Sequence, residues 1–302
     1  MNRKLRVVVA ALLYLAFTPV VDAQDLGPQF RKIKDGIYVY VGKEFNSNAG
    51  VVLTEDGVVL IDSGHNPTDS RAILDAVKKL TSLPVRFLID TEPHGDHTTG
   101  HFVFSPPAVI IAHEGATDSM KKAYSPARNE KLMAGSPEMR AAFDGFRMIT
   151  PHMEYRQKMT LNLGERTFEL MYLKGVHSEA DTAVWLPKER VLFSASAVVV
   201  NQYNILRPFV TIPDILAAAK MMKGLNPEFV VPGHGTPGTV KIFEDSERYY
   251  ALLLERVGKL AREGKSLDEI KKDLRMPEYD GWASKDRIPS NIDAAYKVVK
   301  GN

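Results

Sequence analysis

Short apolar and β-branched runs punctuate the chain, and their spacing sets most of its elements. Ile37 to Val41 and Ala49 to Leu53 are two such runs. Glu55-Asp56-Gly57 and a further run, Val58 to Ile61, follow, so the pattern predicts a hairpin turning at Asp56-Gly57. Over residues 69 to 81, Ile73, Leu74, Val77 and Leu80 fall at helical spacing behind Thr68, which the pattern makes the cap, and Pro84 introduces a strand from Val85 to Ile89. Val109 to Ala112 is another short run. Phe168 to Leu173, Thr182 to Leu186 and Val191 to Phe193 form a second series of strands, and helices are expected at 213 to 223 and 240 to 262. Two successive units of strands and helices predict an α/β fold in which two sheets pack face to face with helices outside. Polar clusters gather at the strand ends, where sites are usually built.

Two regions depart from this rhythm. Between about 124 and 159 the chain is polar and methionine-rich (Met133, Met139, Met148, Met153, Met159), interrupted by Pro126, Pro137 and Pro151. Flexible thioethers suit an adaptable lid over a pocket, while a helical insertion packed on the domain fits the same residues. From Ser266 to residue 302 a C-terminal extension reads as a short helix (Leu267, Ile270, Leu274), an irregular stretch around Trp282, and a last helix through Ile292 and Tyr296.

The amino terminus changes the expected address. Arg3, Lys4 and Arg6 precede an apolar run from Val7 to Phe17, then Pro19 and the small-residue exit Val21-Asp22-Ala23. That is the layout of a cleavable secretory signal over residues 1 to 23, leaving 24 to 302 as a periplasmic or secreted domain with no stable membrane insertion. An uncleaved N-terminal anchor is the competing reading.

Composition narrows the chemistry. Lys+Arg 39 against Asp+Glu 37 over 302 residues gives no basic field, so nucleic acid is not the expected partner; a small-molecule substrate is. Zero cysteines exclude disulfides, thiolate metal sites and cysteine nucleophiles, so any metal must be held by nitrogen and oxygen. The chain has no phosphate-cradling glycine loop, no Gly-x-Ser-x-Gly elbow and no dinucleotide fingerprint. What it does have is Asp90-Thr91-Glu92-Pro93-His94-Gly95-Asp96-His97 directly after a buried run. Glu92, His94, Asp96 and His97 crowd one strand end, which is costly unless water or a cation satisfies them.

Here the sequence resembles the metallo-β-lactamase superfamily. The resemblance is carried by Asn48-Ala49-Gly50, Leu60-Ile61-Asp62-Ser63-Gly64, the motif at 92 to 97, Gly175-Val176-His177-Ser178-Glu179-Ala180-Asp181-Thr182, and Val231-Pro232-Gly233-His234-Gly235, in that order. It implies an αββα sandwich and two metal sites, one of Glu92, His94 and His177, the other of Asp96, His97 and His234, with Asp96 also catalytic. The implied cofactor is Zn2+, two ions per chain, and the implied nucleophile a metal-bound hydroxide.

Two departures from that family stand out. Glu92 replaces the usual first histidine of the motif, and Ser194-Ala195-Ser196 replaces a segment that often carries an aspartate or cysteine. The added anionic oxygen donor makes manganese or iron more tolerable. A rival reading has Glu92 facing away and a single site filling.

Further candidates surround this set. Asp62 is expected to fix a ligand histidine and Asp181 to support the His177 loop, each against a plain capping role. His65, Tyr203, Asn204 and Arg207 are candidates to face substrate, Arg207 by pairing with a carboxylate or sulfate. His152 is placed in the lid, and His101 and His113 read as structural.

The expected activity is hydrolysis of a cyclic amide, lactone or ester. An alkylsulfatase-like sulfate-ester hydrolase, a mononuclear iron oxygenase and a non-catalytic periplasmic metal-binding protein are the alternatives.

Overall fold

A computed structural model describes residues 25 to 124 and 136 to 301. The expected secretory signal, Pro126 and Met133 lie outside the described residues.

Strands β1 (Phe30–Lys34), β2 (Ile37–Tyr40), β3 (Ala49–Thr54), β4 (Gly57–Ile61), β5 (Val85–Ile89), β6 (Val109–His113) and β7 (Met153–Tyr155) form a seven-stranded sheet in sequence order. Its first four strands run antiparallel, and β4 to β7 are parallel neighbours. A second, five-stranded sheet has the order β12 (Phe229–Val231), β11 (Val191–Phe193), β10 (Thr182–Leu186), β9 (Arg166–Tyr172), β8 (Lys158–Leu163).

Period-two alternation then builds the layers. In β4, Val59 and Ile61 face the second sheet and meet Phe168, Leu170, Val184, Leu186 and Phe193. Val58 and Leu60 face the other way and pack on Ile73 and Val77 of the helix Pro67–Leu80. The outer side of the second sheet, with Met171, Ala183, Trp185 and Leu192, packs on the helices Ile212–Gly224 and Lys241–Arg262. The result is the expected αββα sandwich.

Several expectations shift in detail. The helix expected at 69 to 81 begins at Pro67, because Asn66 and not Thr68 is the cap: its side chain accepts from the backbone N–H of Thr68 and Asp69 at 2.9 and 3.1 Å. The methionine-rich stretch is not one piece. Residues 153 to 155 form β7 and Lys158 and Met159 start β8, so the end of the stretch belongs to the sheets, and among its described residues the short helix Pro137–Ala142 stands outside them. The C-terminal extension forms the helix Leu267–Asp273, with Ser266 and Glu269 in a capping box, and the helix Ile288–Lys300.

Candidate metal centre

The sequence cluster lies where the two sheets open at their strand ends. The chain leaves β5 at Asp90, turns through Glu92 and Pro93, and enters the short helix Gly95–Thr98. The backbone oxygen of His97 accepts from Ser63 N at 2.9 Å and Ser63 Oγ at 2.6 Å, which ties this turn to the end of β4. Asp62, at that strand end, has φ 60°, a conformation unfavourable for a side-chain-bearing residue, and it aims its carboxylate inward. Its oxygens accept from Thr91 N (2.7 Å) and Thr91 Oγ1 (2.6 Å) and meet His97 Nδ1 at 2.9 Å.

His177 arrives on the loop between β9 and β10. Asp181 holds that loop by accepting from the backbone N–H of His177 (2.6 Å) and Ser178 (2.9 Å). His234 follows β12. Its loop is clamped by Asn48, whose Nδ2 donates to Pro232 O at 2.8 Å and Gly235 O at 2.7 Å. Gly233 is demanded here by close approach: a Cβ would come within 2.4 Å of Ser196 Oγ and 2.8 Å of Ser196 N.

The candidate ligands converge as two triads, Glu92 with His94 and His177, and Asp96 with His97 and His234; within each, the donor atoms lie within 4.8 Å of one another. Glu92 faces inward and is 1% exposed, so the reading in which it turned away fails.

The tautomers test whether these residues fit a cation. His234 Nδ1 lies 2.8 Å from Phe45 O, a carbonyl that only accepts, so Nδ1 carries the proton and Nε2 presents a lone pair. His97 donates from Nδ1 to Asp62, so its Nε2 also points inward, 3.4 Å from His234 Nε2. Asn204 Nδ2 donates to Ser196 O at 2.7 Å, which orients Oδ1 to accept from His177 Nδ1 at 3.0 Å. His177 Nε2 then faces Glu92 Oε2 at 3.3 Å. Neutral rings in this arrangement would set lone pair against lone pair and against a carboxylate. Only positive charge at the centre relieves that, and four imidazoles with two carboxylates are a donor set that zinc accepts.

The ionisation of the metal-free protein expresses the same demand. Burial opposes a charge on His97, but the carboxylates of Glu92, Asp62 and Asp96 hold its pKa well above the usual range. Burial also opposes the Glu92 charge, and His97 and His177 outweigh it, keeping that carboxyl well below its ordinary value. Burial and the neighbouring His97 push His234 down to about 4, so this ring stays neutral and ready to ligate.

A cavity of about 660 Å³ opens above the triads. Its wall includes His65, Tyr124, Met139, Phe143, Arg207 and Arg287. Arg207 donates to His177 O at 2.6 Å, so its guanidinium stands beside the first triad. Tyr203 does not reach the cavity. Its ring is 2% exposed in a cluster with Tyr249 and Trp282, and its hydroxyl donates to Tyr279 O at 3.2 Å, so the substrate-facing expectation for Tyr203 is wrong. Asn204 positions His177. His152 is exposed outside the cavity wall and accepts from Ile110 N at 2.9 Å. His101 pairs with Asp90 at 2.8 Å, and His113 stacks on Tyr172. Sequence reasoning missed the Phe45 carbonyl, Asn48 as a clamp, and Arg287; only Asn48 had a signal, beside Ala49-Gly50.

Fold and donor set together define a two-sheet protein with a candidate metal-binding cluster of nitrogen and oxygen donors at its strand ends. The family profile of the metallo-beta-lactamase superfamily matches residues 42–234, and the chain belongs to that superfamily, whose members are mostly hydrolases and bind zinc. Among characterised relatives, the chain is 26% identical over 183 residues to the 2,4-dinitroanisole O-demethylase subunit alpha of Nocardioides sp., covering 60% of this chain and 50% of that one. It is 23% identical over 214 residues to the metallo-beta-lactamase IND-1 of Chryseobacterium indologenes, covering 67% and 80%. Among solved structures, the stereoselective inverting sec-alkylsulfatase Pisa1 of Pseudomonas sp. superposes with a TM-score of 0.69 at 18% identity, over 89% of this chain and 50% of that one. The chain thus spans about half the length of the demethylase subunit and of the alkylsulfatase.

Proposed function

We propose that the protein is an exported, dinuclear zinc hydrolase acting on a small ester, lactone or cyclic amide. The observation that carries the reading is the approach of the inward Nε2 atoms of His97 and His234 to 3.4 Å, on rings whose other nitrogens are committed to Asp62 and Phe45 O. Two divalent ions held by the triads would supply hydroxide at neutral pH and polarise the scissile carbonyl.

The chain's own residues do the rest. Asp62, Asn204 and the Phe45 carbonyl keep three ligand rings in one tautomer each, so the donor set needs no rearrangement during turnover. Asp96, beside His234 at 3.4 Å and on the cavity wall, is placed to orient the attacking water and to take up a proton. Arg207 offers a fixed positive charge to an anionic substituent of the substrate, and Tyr124, Met139 and Phe143 give apolar surface for its body.

Arg207 also favours a second reading, hydrolysis of an alkyl sulfate, since a guanidinium fork suits a sulfate as well as a carboxylate. Purified protein of known metal content, assayed on nitrocefin, a homoserine lactone, an aryl ester and an alkyl sulfate, separates the readings. Zinc-dependent cleavage of one of the first three supports the proposal, and sulfate release supports the second. Oxygen consumption with about one iron per chain, or bound metal without turnover on any of them, overturns both.

A further inference from the structure

We infer that Glu92 joins the two metal sites, one carboxylate oxygen serving each, an inference that rests on the dinuclear reading above. The two oxygens of this side chain face different triads. Oε2 meets His94 Nδ1 in a close contact and lies 3.3 Å from His177 Nε2. Oε1 lies 3.4 Å from His97 Nε2, in the other triad, and accepts from Ser196 N at 3.1 Å. A histidine in this position could turn only one ring nitrogen toward the centre, because the two nitrogens of an imidazole point to opposite edges of the ring. A carboxylate offers two parallel acceptors, and this one is sealed from water, 1% exposed, so its charge must be met within the centre.

The neighbouring chain fits this role. At the strand end after β11 the segment Ser194-Ala195-Ser196 brings no carboxylate to the gap between the triads, and Ala195 takes φ 51°, a conformation unfavourable for a residue with a Cβ. That turn delivers the Ser196 N–H to Glu92 Oε1, which fixes the oxygen on the side of His97. Ser196 Oγ is buried without a hydrogen-bond partner, close against Gly233. The charge that the 194 to 196 segment lacks is therefore supplied from position 92. One shared carboxylate would lower the repulsion between two cations, so filling of the two sites should be coupled through this residue.

The test compares the affinity of the ion that remains when either Glu92 or His94 is removed. Metal-stripped wild type, His94→Ala and Glu92→Gln are titrated with Zn2+ by calorimetry, and circular dichroism checks that each is folded. Glu92→Gln keeps the volume and an acceptor oxygen, and Glu92→His is the second variant if it does not fold. A joining carboxylate predicts that the single ion kept by His94→Ala binds at least about tenfold more tightly than the single ion kept by Glu92→Gln. Equal affinity for the remaining ion in the His94 and Glu92 variants overturns the inference, because Glu92 would then serve the first triad alone. Absence of Zn2+ binding by wild type overturns the dinuclear reading itself, and the inference with it.

Discussion

The floor and the roof of the cavity are built by opposite means. On the floor, His97, His177 and His234 are each locked by a partner on their second nitrogen, and the loops carrying them are tied to strand ends by Ser63, Asp181 and Asn48. On the roof, the helix Pro137–Ala142 buries none of its side chains, and Arg71 reaches it through the Ala142 carbonyl at 2.7 Å. The difference teaches where each task resides. In the proposed hydrolase, ligands that must be held to fractions of an ångström sit on the strand ends, while part of the surface offered to a substrate body, Met139, lies on a short helix that buries none of its side chains.

Changes that break the floor should therefore have the largest effects. His97→Ala removes a ligand at the meeting of Glu92, Asp96 and His234; it should cost the second ion and about a thousandfold in hydrolysis, read by elemental analysis and turnover on the best substrate. Asp62→Asn leaves every ligand in place but removes the charge that holds the His97 tautomer, so zinc affinity should fall about ten- to a hundredfold by calorimetry. Gly233→Ala drives a methyl group into Ser196 and should lower stability by about 1 to 3 kcal/mol in denaturant unfolding. The smallest effect belongs to the roof: Met139→Ala, at an exposed side chain of the cavity wall, should raise KM less than about tenfold, with zinc content and kcat preserved. Loss of zinc from the Met139 variant would erase the distinction between floor and roof.

The same contrast decides what could be read from the sequence. The 92 to 97 cluster is legible because four metal-binding side chains fall within six positions on one turn. His177 and His234 carry no such local signal and stand out only through the ordered family motifs. The partners that orient the rings were harder still: Phe45 acts through a backbone carbonyl, which any residue could supply, and Asn204 faces a ligand histidine only once the 3-10 turn after β11 is formed.

The fold shows a similar division. Thr182–Leu186, buried at every position, matches its expected bounds because its run is nearly all apolar. Phe30–Lys34 escaped notice as a charged, half-exposed edge strand. Lys158–Leu163 alternates Met159, Leu161 and Leu163 with Lys158, Thr160 and Asn162, a period-two signal that starts in the last two residues of the stretch read for its methionines. Tyr203 followed the right strand but points into an aromatic core, since side-chain direction there is set by packing against Tyr249 and Trp282.

The central claim is that six side chains from three separate stretches of chain share two cations. Its most direct measurement is the zinc content of the purified protein after exhaustive dialysis against metal-free buffer, set beside the His97→Ala/His234→Ala double variant. The account predicts two ions per wild-type chain and at most one in the double variant. Equal metal content in the two proteins, or none in wild type, would contradict it.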